Sequence, residues 1–323
     1  MSNVIAVPVP RRRSLDAGVR FAIAAFVLLL GLNLVFATST LAFSNLGTTI
    51  GLAAPLILVA FAVTITLLAG NGAIDLSVGP AAGLVNVVVV HELVGNSGIT
   101  SPVAIVLAAL GTGLAVGIFN GVVVAYLRIQ PIVATLGSYL ICIGITLTLM
   151  DTPGGSTPAW LSNLAGTTSL IPIAAVFGLW LLLRQTPFYV YLIATSDDER
   201  TAFASGVNTA RIRVAVYALG GLVAGVAGLA LTAVLGSADP NIGSTYTLSA
   251  IAAAVFGGVS LAGSKGGLAN ALLGAAAIFL LQNLLTSLHT STFLLQVAYG
   301  VALVVAVSIN GRFGTVLGRF RRA

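Results

Sequence analysis

No Asp, Glu, Lys or Arg occurs between Arg20 and Asp75, between Arg213 and Asp239, or between Lys265 and Arg312. Stretches of this kind cannot be turned to water. A soluble domain carries about a quarter charged residues, whereas here they make up 7% of 323 residues, against 58% hydrophobic. The solvent for most of this chain is therefore lipid. Backbone groups that have no water to bond must be satisfied within their own segment, which a helix does. The expected fold is an all-α integral membrane protein. Its 37 glycines suit helices whose backbones approach closely.

A bilayer core of about 30 Å takes about 20 apolar residues in a helix. Apolar segments fall at residues 21–40, 49–69, 78–94, 103–127, 132–150, 170–184, 214–236, 246–262, 267–288 and 293–310. The third, sixth and eighth are short for a span. Ten alternating crossings put both termini on one side. Lys and Arg collect in cytoplasmic loops, so the Arg11–Arg13 end is placed inside. Arg128, residues 184–213, Lys265 and residues 312–322 then fall inside as well, which gathers all 14 basic residues on one face. The other face carries Glu92, Asp151, Asp239, His91 and His289. The net charge of +6 reads as topology and not as nucleic-acid binding, because the cations sit at the ends of apolar runs without interleaved aromatics.

This organisation predicts a cytoplasmic N-terminal tail over 1–20, a transmembrane region over 21–310 and a cytoplasmic C-terminal tail over 311–323, with no soluble domain. The basic-then-apolar N-terminus resembles a signal peptide, but its apolar run is long enough to span and is read as a retained first helix. The single cysteine, Cys142, excludes an intrachain disulfide, and no His/Cys cluster suggests a metal. No phosphate-binding G-x-x-x-x-G-K-[ST] occurs. An intramembrane enzyme is disfavoured because no H-E-x-x-H and no paired carboxylates flanking a cleft are present. The 151–169 loop is marked by turn-forming Pro and Gly, with Trp160 as an interfacial anchor.

The longest cytoplasmic loop, 185–213, carries a helix signature. Ser196 followed by Glu199 reads as a capping box. Asp197, Asp198 and Glu199 fill the favourable first turn, and Gly206 is placed as the C-terminal cap. The expected helix has about nine residues, roughly 13 Å, and Asn208 caps the next one. So short a helix needs a surface to pack on, with Phe203 as an apolar knob. That surface is either its own chain or a partner's groove.

Asp75 sits between two long apolar runs. Either Asp75 or Ser77 caps the third span at its positive dipole end, or the segment is a broken helix in which Asp75 and Asn71 face a water-lined route. Other polar residues of the spans are Asn86, Asn120, Thr135, Ser138, Thr146, Gln282 and Asn283, which suit helix-to-helix hydrogen bonds. Residues 257–262 faintly echo residues 72–77, as a diverged repeat would.

Four stretches, taken together, resemble the permease subunits of bacterial ABC sugar importers of the ribose/xylose/galactose type, relatives of the branched-chain amino acid permeases. They are GNGAIDLSVGPAAGL (70–84), FNGVVVAYLRIQPIVATLG (119–137), ATSDDERTAFASGVNTARIRVAVYALGGLVAGVAGLALTAVLGSADPNIG (194–243) and LSAIAAAVFGGVSLAGSKGGLANALLGA (248–275). The resemblance implies a bacterial inner-membrane, multi-pass subunit paired with an identical or related permease. It also implies a cytoplasmic ATPase dimer, which uses ATP and Mg, and an external solute-binding protein; no cofactor is expected in this chain. The 196–207 helix maps onto the family's coupling segment, so Ser196, Asp197, Asp198, Glu199, Arg200, Phe203, Ser205 and Gly206 are its expected ATPase-coupling residues. Where relatives often carry Gly-x-Asn before this helix, Thr195-Ser196-Asp197 stands here. Asn71, Asp75, Ser77, Asn120, Thr135, Gln282 and Asn283 are the candidate pathway residues for a neutral sugar or polyol. Two alternatives are branched-chain amino acid cargo and an ion-coupled secondary transporter. The latter calls for an intramembrane ion site, and this segmentation places no acidic residue mid-span.

Overall fold

The computed structural model describes residues 17–320. Among the described residues there are no strands, only an isolated antiparallel bridge between Gly154 and Ala238. Helix α1 (Ala17–Phe36) and the single turn α2 (Thr38–Leu41) lead into α3 (Leu46–Leu67). Helix α4 (Val78–Val87) runs on into a wider π-helical stretch, Val88–Asn96. Then come α5 (Pro102–Ala125), α6 (Pro131–Leu149), the short α7 (Ala159–Ser162) and α8 (Leu170–Leu183). Next are α9 (Pro187–Asp197), α10 (Glu199–Ala204), α11 (Thr209–Leu235), α12 (Ile242–Phe256), α13 (Leu268–Ser287) and α14 (Thr292–Phe320). Proline opens α5, α6 and α9, where its missing N–H costs no helical bond.

Each expected apolar segment centres on a helix, but not all of these helices are full spans. Seven of those described are long and apolar enough to cross a membrane, and the pair Ala159–Ala165 and Thr167–Leu183, bent by 84°, makes an eighth if taken as one broken span. Helix α12 has 15 residues, about 22 Å at 1.5 Å per residue and short of a 30 Å core. The apolar part of α14, Phe293–Ser308, is likewise short.

Helix α3 is the central post. Its span is 89% buried, whereas that of α1 is 11% buried. Helices α11, α12 and α13 pack around α3. The most extensive pairing is α5 with α11, and its sequence cause is glycine at every fourth position. Gly113, Gly117 and Gly121 on α5 face Tyr217, Gly221 and Gly225 on α11 so closely that a Cβ on any of these glycines would overlap the opposite backbone. Small residues spaced by four form one flat stripe per helix, and two such stripes bring backbones into contact. Gly79 and Gly83 of α4 pack against Gly243 of α12 in the same way.

The ends of the bundle differ in charge. At one end, Gly258 lies against Val19, Gly70 and Gly263 meet Ser196, and the Thr135 hydroxyl donates to the Ile74 carbonyl at 3.1 Å. These contacts gather the segments bearing Arg20, Arg128, residues 196–213 and Lys265. At the other end, the Trp160 indole N–H donates to the Thr100 carbonyl at 3.0 Å and Gly154 pairs with Ala238. The 151–169 loop is thus more than a set of turns: Leu161 is fully buried, and Ala165 packs on Gly51 of α3.

Candidate functional site

Two clusters stand out at the basic end. The first is the break between α3 and α4. Residues 68–77 leave the helix through three successive left-handed positions, Gly70, Asn71 and Gly72 (φ 72°, 52° and 70°). The chain then re-enters the bundle, and Asp75 is 1% exposed. Its Oδ1 accepts the Ser77 backbone N–H at 2.9 Å and the Ser77 hydroxyl at 2.7 Å. Asn120 of α5 donates to the Ser77 hydroxyl at 2.7 Å, and Ser138 of α6 donates to Asn120 Oδ1 at 2.6 Å. Thr247 of α12 donates to the Leu76 carbonyl at 3.3 Å. One carboxylate therefore organises the start of α4 and, through two more side chains, joins it to α5 and α6.

Among the described residues Asp75 has no basic partner in an ion pair, yet, buried, it accepts two donors at the positive end of α4. Ser77, and not Asp75, is the residue before the first helical turn, and its own side chain makes no capping bond. Asp75→Leu is expected to leave the Ser77 N–H and hydroxyl without an acceptor, at about 1–3 kcal/mol for each unsatisfied group. Asp75→Asn keeps an acceptor oxygen. Thermal unfolding of the detergent-solubilised protein should show a clear loss for the first variant and a small one for the second.

The second cluster is α10. The capping box expected at Ser196 is not formed. Ser196 lies in the last turn of α9, is 8% exposed, and is wedged against Gly70 and Gly263. Asp198 takes extended backbone (φ −153°, ψ 102°) and accepts the Arg200 N–H at 2.9 Å and the Thr201 N–H at 3.2 Å. The helix has six residues, not nine, because α9 continues through Asp197 and leaves only Glu199 in the acidic first turn. Gly206 closes it with φ 87°, and Asn208 caps α11 by accepting the Arg211 N–H at 3.0 Å, both as expected from sequence.

The Thr201 hydroxyl and N–H hold the Asp198 carboxyl below its ordinary value. A depressed value means that this cap stabilises the helix above the unfolded pKa and is lost only as pH falls through the lower folded one. Near neutral pH the cap is intact. Asp198→Ala should fray α10, seen as faster amide exchange over 199–204, and Asp198→Asn should restore protection because Asn also caps well.

Glu199 fixes α10 to the bundle. Its Oε2 accepts from Arg213 of α11 at 2.7 Å and from Asn71 at 3.1 Å. Asp197, Asp198, Arg200, Ser205 and Gly206 face outward, and Phe203 is 70% exposed while Ala202 is buried beneath it.

The candidate pathway residues thus divide. Asp75, Ser77, Asn120 and Thr135 come together at the α4 entry, whereas Asn71 belongs to the α10 latch. Asn283 lies elsewhere, donating to Asn33 of α1 at 2.7 Å, and Gln282 is exposed on α13. Asn86 ties α4 to the end of α11, donating to Thr232 at 3.0 Å and accepting the Asp239 N–H at 2.9 Å. Sequence reasoning did not place Ser138 or Thr247 at the cluster. For Ser138 the signal was its spacing of three from Thr135, which puts both on one face of α6. Thr247 had no local signal. Among the described residues no group of three or more His, Cys, Asp or Glu is placed to hold a metal.

Comparison with known proteins sets these clusters in a family. Residues 45–309 match the family model described as "Branched-chain amino acid transport system / permease component". The ribose import permease protein RbsC of Bacillus subtilis (strain 168) is 35% identical over 263 residues, covering 78% of this chain and 80% of that protein. RbsC of Escherichia coli (strain K12) is 33% identical over 273 residues, covering 78% and 81%. The autoinducer 2 import system permease protein LsrC of Escherichia coli (strain SMS-3-5 / SECEC) is 33% identical over 278 residues, covering 82% and 78%. No solved structure matches the chain significantly. With the family model covering most of its length and relatives above 30% identity over four-fifths of theirs, this multi-pass chain belongs to the family of branched-chain amino acid transport system permease components.

Proposed function

We propose that this chain is the membrane permease subunit of an ATP-driven importer for a sugar or sugar-like polyol. The observation that carries the reading is similarity, over about four-fifths of the chain, to two sets of permeases, named for ribose and for autoinducer 2. Hydrolysis then belongs to a cytoplasmic ATPase pair, with its ATP and Mg, and cargo selection to an external binding protein. A second permease subunit completes the membrane part.

The topology that suits this role has ten crossings, counting the bent α7–α8 pair, α12 and α14, with both termini cytoplasmic. The clustering of Arg20, Arg128, Arg213 and Lys265 at one end supports that orientation, since basic residues remain on the cytoplasmic side. The same orientation puts α10 in the cytoplasm. There Asp197, Asp198, Glu199, Arg200, Phe203, Ser205 and Gly206 form the surface that meets the ATPase, while Ser196 supports it from within. Asp75, Ser77, Asn120 and Thr135 hold the inner end of the bundle together, and Gln282, exposed on α13, is a candidate contact for passing cargo.

The family description favours a second cargo, a branched-chain amino acid. Such a zwitterion needs charged or dipolar partners on its way, and the one buried carboxylate among the described residues is already taken up by Ser77. A neutral, hydroxylated cargo suits the route better. The test is uptake by proteoliposomes that hold this chain with its ATPase and binding protein, offered radiolabelled ribose, xylose, galactose and leucine. ATP-dependent accumulation of a sugar is expected. Accumulation of leucine alone, or uptake driven by a proton gradient without ATPase, would replace the sugar-importer reading.

A further inference from the structure

At the basic end, three segments distant in sequence meet at one point with no room between them. A Cβ on Gly70 would lie 2.5 Å from the Ser196 Oγ and 2.9 Å from its Cα. A Cβ on Gly263 would overlap the Cα of Gly70 and lie 2.5 Å from the same Ser196 Oγ. Gly70 belongs to the turn between α3 and α4, Gly263 to the turn between α12 and α13, and Ser196 to the end of α9, two residues before the Asp198 cap of α10. Both glycines have positive φ, 72° and 97°, so their backbone as well as their lack of a side chain suits the contact.

Two further observations mark this junction as more than tight packing. The hydroxyls of Thr195 and Ser196 are buried and have no hydrogen-bond partner among the described residues. Native interiors rarely leave such groups without a partner. In addition, two non-glycine residues of the same turns, Asn71 and Ser264, are in the left-handed region (φ 52° and 53°), which Asn adopts readily and Ser seldom does. Two buried hydroxyls without a protein partner and a left-handed Ser264 thus lie at the place where α10 is tied in, through Glu199 to Asn71 and Arg213.

We propose that Gly70, Ser196 and Gly263 form a clasp by which the α9–α10 junction grips both turns at once, so that displacement of α10 moves the α3–α4 and α12–α13 turns together and opens or closes this end of the bundle. The turns lead directly into α4 and α13. Helix α4 is coupled in turn to α12 by Thr247 and by the Gly79–Gly243 contact. Ser196 is thus a positioning residue inside the permease, not a contact for the ATPase. The clasp rests on the importer reading for the source of the push, but its packing can be tested without it.

The test is amide hydrogen exchange on the full complex in lipid nanodiscs, compared between the nucleotide-free state and the state trapped with ATP and vanadate. The amides to follow are those closing the two turns: Gly70 to Leu67, Ala73 to Gly70, Ser260 to Lys265 and Gly263 to Ser260. Both sets are expected to change protection together, along with residues 194–198. A change in one turn alone, or in neither, would overturn the clasp. In parallel, Gly263→Ala in the isolated permease should lower protection of residues 68–74, and in the complex it should leave ATP hydrolysis running while most sugar uptake is lost. Gly267→Ala, where a Cβ meets nothing within 4 Å, is the neutral control. Normal uptake by Gly263→Ala with unchanged protection at 68–74 would also overturn it. If Gly263→Ala fails to assemble, the nucleotide comparison on the unaltered complex still decides. Absence of ATP-dependent uptake by the unaltered complex would instead defeat the importer reading, a separate readout from the turn-to-turn coupling.

Discussion

Phe203→Asp is expected to abolish uptake while leaving the amount of protein in the membrane unchanged. Phe203 is 70% exposed on a helix of six residues. So short a helix has no stability of its own. Here it is held by the Asp198 cap and by the Glu199 contacts to Arg213 and Asn71. None of that support involves the Phe203 side chain, so replacing an outward-facing phenylalanine disturbs no internal packing. What it removes is the apolar anchor of the proposed ATPase surface. A buried aromatic anchor at an interface is typically worth at least about 2 kcal/mol, or about thirtyfold in affinity. A carboxylate in its place adds desolvation cost to that loss. Deletion of residues 197–205 should have the same effect, and Phe203→Leu should retain part of the coupling. Co-purification of the ATPase with each variant, alongside uptake in proteoliposomes, measures the outcome. Normal uptake by Phe203→Asp or by the deletion would remove α10 from the ATPase interface.

Gly221→Val is expected to act at an earlier step, preventing a stable bundle. A Cβ at Gly221 overlaps the Gly113 carbonyl oxygen and sits 2.8 Å from the Gly117 Cα. These are backbone atoms of a packed helix, so nothing can rotate away, and α5 and α11 must separate along their shared stripe. Forcing extra carbon into a full interior typically costs about 1–3 kcal/mol, and here the surrounding close contacts at Gly117 and Gly225 are lost with it. Gly117→Val should behave alike. Gly111→Val is the control, because it lies on the same helix α5 but faces away, with nothing within 4 Å of a Cβ. Membrane accumulation and monodispersity in detergent should fall sharply for the first two and hold for the third. Equal behaviour of Gly221→Val and Gly111→Val would mean that the α5–α11 stripe does not hold the bundle.

Local chemistry was legible from the chain. Long charge-free runs announced lipid, and each centres on a helix, because hydropathy and helical hydrogen bonding are both satisfied within one segment. Gly206 and Asn208 announced the end of one helix and the start of the next, since each acts on backbone groups three or four residues away. The capping box at Ser196 and Glu199 misled because the same local rule was satisfied two residues later. Asp198 supplies the cap, and Ser196 is held inside α9 by Gly70 and Gly263, residues more than sixty positions away. Asp75 was singled out correctly as unusual. Its partners on α5 and α6 and the nearby Thr247 contact from α12 have no signature in the local sequence.

The sequence by itself therefore determined the solvent, the helical class, the end of the bundle where the cations collect and the segment that stands clear of it, because each depends on the nature of neighbouring residues and on transfer free energies that act locally. Only the tertiary structure decided which glycines touch, which polar side chains close on Asp75, and that Ser196 packs against two remote turns. Those contacts depend on how helices distant along the chain come to lie side by side, and a small residue looks the same in the sequence whether it has open space beside it, as Gly111 does, or another backbone, as Gly221 does.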